Sequence, residues 1–271
     1  MFKQEGIVNY YSETSDAYLR WGGGGGAIHF GFHPNPSEPL DHLDSLERLT
    51  DEILRFAGVD PKDTVLDSGC GMGAVSIKLA SKCRYVVGIN ISPGQIVEAT
   101  KKVREKKLED KVFILQQDYS NMEDIENELF DLGLMVESLF HSNDKQAVSL
   151  AHHRVLKNNG KFVVADYFIK REMSGGETDL LRVFEEGWVG KLVSVDNIRN
   201  ILAETGFSNA EILELSENML PSIKIASESA LGHNTDIEVS DIRKRHREAT
   251  VAFYKLIESG ALGYFFIKAT K

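Results

Sequence analysis

The sequence predicts an α/β fold, a mostly parallel sheet with helices on both faces. Three observations predict it. The stretch "VLDSGCGMGA" (65–74) ends an apolar run in an acid, then sets glycines at 69, 71 and 73. A helical apolar pattern opens at Ala74, so the order is strand, glycine turn, helix, a place where a ligand can lie on bare backbone. Four more apolar runs alternate with helical stretches, the signature of βαβ units. The chain has 271 residues, 42% hydrophobic and 27% charged, with no excess of Pro or Gly. That suits one large domain or two small ones.

In chain order, residues 1–57 begin with an aromatic stretch and then "WGGGGGAIHFGFHPNPSEPL", which holds five consecutive glycines. This segment is too flexible for a core element and too aromatic for a linker, so it reads as a lid. Leu43, Leu46, Leu49, Ile53 and Leu54 have helical spacing between 41 and 56. Strands are expected at 64–69, 85–92, 111–120, 130–138 and 161–168. Ser92-Pro93 starts a helix with a cap and a first-turn proline. A helix over 143–157 is expected to stop at Asn158-Asn159-Gly160. Residues 210–216 form a weak strand, about 221–258 a polar helical stretch, and 261–270 a last apolar strand, antiparallel at the sheet edge. Segments 169–199 and 217–259 read as cap insertions on the core of 58–168, the usual place for substrate-specific parts.

Charge and composition narrow the class. A net charge of −10 argues against a nucleic-acid coat, though not against a local basic pocket. No apolar run approaches the ~20 residues of a membrane span, so no membrane partner is expected. The start MFKQEGIVNYY lacks secretory features, and Cys70 and Cys83 cannot form a disulfide framework, so a cytoplasmic setting is expected. Scattered histidines give no metal site; His152-His153 point apart on a helix.

The ligand of the glycine loop is read from its acid. In Asp67-x-Gly69-x-Gly71-x-Gly73 the carboxylate precedes the glycines; it would repel a diphosphate and favour an ammonium. Asn90 ends the second strand where ribose hydroxyls are taken, and Asp118 ends the third, able to accept from an adenine amino group. Taken together, "VLDSGCGMGA", "VVGINIS", "LQQDYS" and "LKNNGKFVVADYF" resemble the class I S-adenosylmethionine-dependent methyltransferases over most of 60–170. A nicotinamide-binding protein is the rival reading. The resemblance implies a single-domain, Rossmann-like sheet of seven strands with the last antiparallel. It implies S-adenosylmethionine as cofactor and S-adenosylhomocysteine as product. Gly69 and Gly71 would admit the cofactor, with Cys70 between them as a packing residue. Asp67 would sit below the ammonium, Asn90 would bond the ribose, and Ile91 would flank the adenine. Asp118 and Tyr119 would meet the amino edge, and Gln95 either helps or is a solvated helix residue. Asn90 departs from the usual acid, since an amide accepts at one atom.

"ESLFHSNDK" (137–145) resembles the E-S-x-x-H pattern of the small-molecule branch that modifies sugars, sterols and prenyl groups. The start of the chain is similar to that branch's Y-Y-D…Y…W…H-x-G opening, at Tyr10, Tyr11, Trp21, His29 and Gly31, with Tyr11 against the cofactor. The five-glycine run departs from the usual shorter link and implies a mobile lid. Glu137 is the candidate base or cation stabiliser, or a carboxylate bonded to cofactor or backbone. His141 and then His29 are further candidate bases. For the acceptor, Tyr10, Trp21, Phe168, Trp188 and Tyr254 would supply walls, and Arg171, Arg243 and Arg247 a basic cluster. These would suit C-methylation of a prenyl diphosphate, with magnesium needed in that case alone. The alternative is a solvated helix face over core aromatics. A lipophilic secondary metabolite is the expected acceptor, methylated on carbon, oxygen or nitrogen; a non-catalytic cofactor-binding module is the other reading. A homodimer is a possible assembly.

Overall fold

The computed structural model describes residues 4–232 and 239–271. Its centre is a seven-stranded sheet. The strands are β1 (Thr64–Ser68), β2 (Tyr85–Asn90), β3 (Val112–Gln116), β4 (Phe130–Val136), β5 (Leu156–Ile169), β6 (Ser208–Glu214) and β7 (Leu262–Thr270). They lie in the order β3-β2-β1-β4-β5-β7-β6. β7 runs antiparallel to both β5 and β6, and the pairings among β1 to β5 are parallel. The strand order reverses between β1 and β4. In such sheets a crevice opens at the carboxyl ends of the two strands, and ligands bind there.

Nine described helices clothe the sheet: α1 (Gln4–Trp21), α2 (His42–Ala57), α3 (Ala74–Leu79), α4 (Pro93–Glu105), α5 (Lys145–Val155), α6 (Gly175–Gly187), α7 (Val195–Glu204), α8 (Ser216–Leu231) and α9 (Asp241–Glu258). Asp41 caps α2 by accepting from the Leu43 N–H, and Asp144 caps α5 from the Ala147 N–H. Strands buried on both faces need two apolar layers, and alternation supplies them. On β5, Val163, Ala165 and Tyr167 face one core cluster, and Phe162, Val164 and Phe168 face the other. The first cluster lies under the cap built by α1, α6, α8 and α9.

Several expectations change here. The helix expected over 143–157 ends at Val155, and the Asn-Asn-Gly stretch belongs to the long strand β5. Asn159 has φ +63°, and the β4–β5 register shifts beside it, so the turn residues make an irregularity within the strand. The single polar helix of 221–258 is two helices, beginning earlier at Ser216; part of the stretch between them lies outside the described residues. Within 169–199, α6 joins the cap. α7 begins at Val195 and buries Ile198 and Leu202 against the sheet's other face, as a crossover helix. The five-glycine run is not a loose link. Gly22, Gly23 and Gly24 donate to Tyr18, Arg20 and Leu19 carbonyls, closing the end of α1, and Gly23, Gly24 and Gly26 have positive φ.

Candidate active site

At the carboxyl end of β1 the chain must turn sharply to start α3. Gly69 (φ +76°) and Gly71 (φ +54°) take left-handed conformations that other residues adopt at a cost. Space excludes side chains too. A Cβ on Gly69 would lie 2.6 Å from Ser138 Cβ, and one on Gly71 2.5 Å from Ile28 Cδ1. The Gly69 and Cys70 N–H groups donate to the Ile89 carbonyl at 2.8 and 3.0 Å, tying the loop to β2. Asp67 is buried beneath it, and Ser76 Oγ donates to its carboxylate at 2.5 Å. Burial pushes the Asp67 pKa up to about 6, against the lowering by Ser76. A buried carboxylate with so little compensation suits a cationic ligand. Burial also pushes the Cys70 thiol well up, with Asp67 adding to the shift, an environment that disfavours the thiolate.

An inner pocket of about 80 Å³ opens above the loop, lined by Asp67, Gly69, Cys70, Gly71, Asn90, Ile91, Gln95, Tyr119, Glu137 and His141, among others. Tyr11 and His29 close it from the N-terminal segment, as do Gly26 to Ile28. The lid expected from residues 1–57 therefore lies over the glycine loop. Asn90 is largely spent on the scaffold. Its Nδ2 donates to the Gly71 carbonyl (3.2 Å) and to Gln95 Oε1 (2.8 Å), and its Oδ1 accepts from the Ser92 N–H (3.1 Å). Gln95 Nε2, by contrast, is buried and has no partner. This corrects the balance between the two amides: Gln95 offers the free donor. Asp118 stands at the outer end, in a neighbouring hollow that shares Ile91; it accepts from Ser120 and, at 3.3 Å, from Gln4 Nε2. Tyr119 donates its hydroxyl to the Ser138 carbonyl (2.9 Å) and presents its ring to the pocket.

Glu137 follows β4 in a left-handed conformation (φ +46°), a strained geometry for a residue with a side chain. Its carboxylate accepts from the Phe30 N–H at 3.1 Å and from the Tyr167 hydroxyl. The Tyr264 hydroxyl faces the same group but has no completed hydrogen bond. Burial pushes Glu137 up to about 8, opposed by the Tyr167 and Phe30 bonds and aided by the Asp166 charge. His141 is buried, and desolvation lowers it to about 4. Its Nδ1 lies 3.0 Å from the Val189 carbonyl and so carries the proton; its Nε2 then accepts from the Tyr11 hydroxyl at 2.7 Å. His29 is lowered to about 4 by burial, and both its nitrogens are held, by the Phe30 carbonyl and Thr50 Oγ1. Its expected role as a reserve base gives way to one in bracing the lid.

Beside the inner pocket lies an outer cavity of about 560 Å³, walled by α1, α8, α9, Phe30 and Trp188. Tyr18 and Ile28 belong to both walls. Trp21, Trp188, Arg243 and Arg247 line the outer cavity. Tyr10 does not: it is buried between Tyr18 (2.7 Å) and His246 Nδ1 (2.8 Å). Phe168 lies on the opposite face of the sheet against Phe265, because strand alternation turns Tyr167 toward the site instead. Arg171 sits outside in a two-pronged pair with Glu177 (2.7 and 2.9 Å), and Tyr254 bonds Glu258. Gly31 is placed by packing, since a Cβ there would overlap Ser45 Oγ. Tyr18 and Tyr167 were not anticipated. Tyr11 and Tyr18 are two helical turns apart on one face of α1, a spacing that carries the signal for the first.

Residues 66–164 match a family model described as a methyltransferase domain. The chain is 28% identical over 247 residues to 27-O-demethylrifamycin SV methyltransferase of Amycolatopsis mediterranei, across 90% of this chain and 89% of that one. The chain carries a methyltransferase domain and is an S-adenosylmethionine-dependent methyltransferase. Solved structures agree on the methyltransferase fold. The [4+2]-cyclase SpnF superposes with a TM-score of 0.84 at 21% identity, over 99% of this chain and 96% of that one. Geranyl diphosphate C-methyltransferase from Streptomyces coelicolor A3(2) gives 0.80 at 20%, over 98% and 97%. The residues present fit the cofactor: the buried Asp67 carboxylate, bonded by Ser76 alone, for its ammonium, the orphaned Gln95 Nε2 for a hydroxyl, and the side-chain-free loop for its body. Among the described residues no group of three or more His, Cys, Asp or Glu could hold a metal ion, and no helix is long and apolar enough to cross a membrane.

Proposed function

We propose that this methyltransferase acts on an oxygen of a small lipophilic acceptor held in the outer cavity. One observation carries the reading: a pocket built on strand ends, with Asp67, Gln95 and Glu137 in its wall, meets a larger cavity with a mostly apolar wall, and Tyr18 and Ile28 stand in both. A volume of about 560 Å³ falls within the ~300–1,000 Å³ of ordinary small-molecule sites.

When bound, S-adenosylmethionine supplies a methyl group made electrophilic by positive sulfur. The chain's own residues then have three tasks. Asp67 and Gln95 hold the donor's polar groups. Ile28, Phe30 and the glycine turn keep water out. Glu137 takes the acceptor's hydroxyl proton: its pKa of about 8 in the free chain is close to working pH, where a general base is most effective. The hydrogen bonds from the Phe30 N–H and the Tyr167 hydroxyl leave lone pairs on its carboxylate for that proton. Tyr11, donating to neutral His141, is fixed with its oxygen available to orient the acceptor.

C-methylation of a prenyl diphosphate is the second reading, favoured by the basic residues at the cavity. It is weakened because Arg243 is already paired with Asp16 at 2.8 Å. Methyl-labelled cofactor offered with lipophilic alcohols, phenols and geranyl diphosphate separates the two. Label on oxygen supports the first reading, and label on prenyl carbon replaces it with the second. Binding of cofactor with no label in any acceptor leaves a non-catalytic module and ends both.

A further inference from the structure

The outer cavity holds a charge imbalance that an apolar acceptor alone would not use. Three arginines, Arg20, Arg243 and Arg247, line it. Asp16 serves the first two, accepting from Arg20 at 3.0 Å and from Arg243 at 2.8 Å. Glu13, the acidic residue of the lining, is turned to Ser240 Oγ at 3.0 Å. Arg247 is left with no hydrogen bond or ion pair among the described residues. His246 beside it does not add charge: burial, then Arg247 and Arg243, lower it to about 4, and its Nδ1 is held by the Tyr10 hydroxyl. One positive charge therefore faces a cavity otherwise walled by Trp21, Phe30, Trp188 and the Ile225-Ala226 surface of α8.

We propose that Arg247 is an anion anchor, and that the acceptor is a lipophilic monoanion: an apolar body with one carboxylate or phosphate monoester head. This rests on the reading of the outer cavity as the acceptor site, and it goes further in naming the charge. A half-buried guanidinium gains more from a carboxylate than an exposed one, because less water competes and its fork matches two oxygens. A diphosphate would bring more charge than one unpaired arginine offers.

The protein carries its own reporter. Its two tryptophans, Trp21 and Trp188, both line this cavity. Intrinsic fluorescence of the full chain is titrated with dodecanoate, dodecyl phosphate, dodecanol and geranyl diphosphate, each below its aggregation concentration. Saturable dodecanoate or dodecyl phosphate binding at least tenfold tighter than dodecanol supports the proposal. The tighter of those two anions identifies the headgroup. Arg247→Gln is expected to remove that preference and Arg247→Lys to restore part of it, with Lys244→Gln on the exposed face as control. Equal affinity for dodecanol and dodecanoate overturns the proposal, as does a preference that survives in Arg247→Gln. Geranyl diphosphate binding tightest of the four also overturns it. Because no cofactor is present, monoanion binding without any methyl transfer in the acceptor screen would refute the proposed reaction and leave this site standing.

Discussion

The inner pocket and the outer cavity differ in how they are made. The inner one is built around backbone turns and side chains at the ends of β1, β2 and β4, tied by hydrogen bonds and closed over by the N-terminal segment. The outer one is built of side chains from helices far apart in the chain: α1, α8 and α9, with Trp188 just past α6. The first arrangement tolerates little change, because a β–turn–α crossing leaves no spare space. The second can be refilled by changing a few aromatic or basic residues. The difference teaches where identity and specificity reside: the donor site is a property of the sheet, and the acceptor site is a property of the cap.

Substitutions should break the two halves differently. The largest effect is expected on the floor. Gly71→Val places a side chain onto Ile28 at a positive φ, and calorimetry should find S-adenosylhomocysteine affinity lowered more than ~100-fold. Glu137→Gln should come next. It should cut turnover by about 100-fold, the lower end of general-base effects, and change S-adenosylhomocysteine affinity only a few-fold. Equal losses in binding and turnover would show that Glu137 merely holds the cofactor. Tyr11→Phe should lower turnover about tenfold by removing the hydroxyl that His141 orients. Arg171→Ala and Tyr254→Phe should leave turnover within twofold, since neither residue lines the inner pocket or the outer cavity.

The pH dependence sharpens the same contrast, because two of the raised acids, Asp67 and Glu137, belong to the floor. Asp67 and Glu137 have folded pKa values of about 6 and about 8, above the ordinary carboxylate range. Each therefore contributes stability that is fully present below pH ~4 and is lost as pH rises through its folded value. The free chain should be less stable at pH 8 than at pH 5, by an amount on the order of a few kcal/mol. Glu137→Gln should flatten the upper part of that slope in denaturant melts. Affinity for the cationic S-adenosylmethionine should run the other way, rising from pH 5 to pH 8 as the carboxylates ionise.

Local patterns made the floor legible. Glycines at alternate positions after an acid-ended apolar run have few other uses, and the structure puts every strand near its expected place. The misses have specific causes. Phe168 was read as facing the acceptor when the parity of Val163, Ala165 and Tyr167 sends it to the other face. Asn-Asn-Gly looks like a stop signal, yet a single left-handed Asn159 absorbs the bend within β5. Gly22 to Gly26 suggest freedom, but the N–H groups of Gly22, Gly23 and Gly24 find carbonyls at the end of α1. Arg243 sits where helical spacing predicts, and its neutralisation by Asp16 crosses 227 residues, a contact no local pattern carries. Cap helices are held by such long-range pairs, so their residues were placed less well than those of the sheet.

Calorimetric titration of S-adenosylhomocysteine into the wild type, Asp67→Asn and Ala230→Trp tests the division most directly. Ala230 lines the outer cavity and does not line the inner pocket. The account predicts unchanged binding in Ala230→Trp and a loss of ~30-fold or more in Asp67→Asn, about the size of removing one charge-assisted bond. Wild-type affinity in Asp67→Asn, or an equal loss in Ala230→Trp, would contradict it.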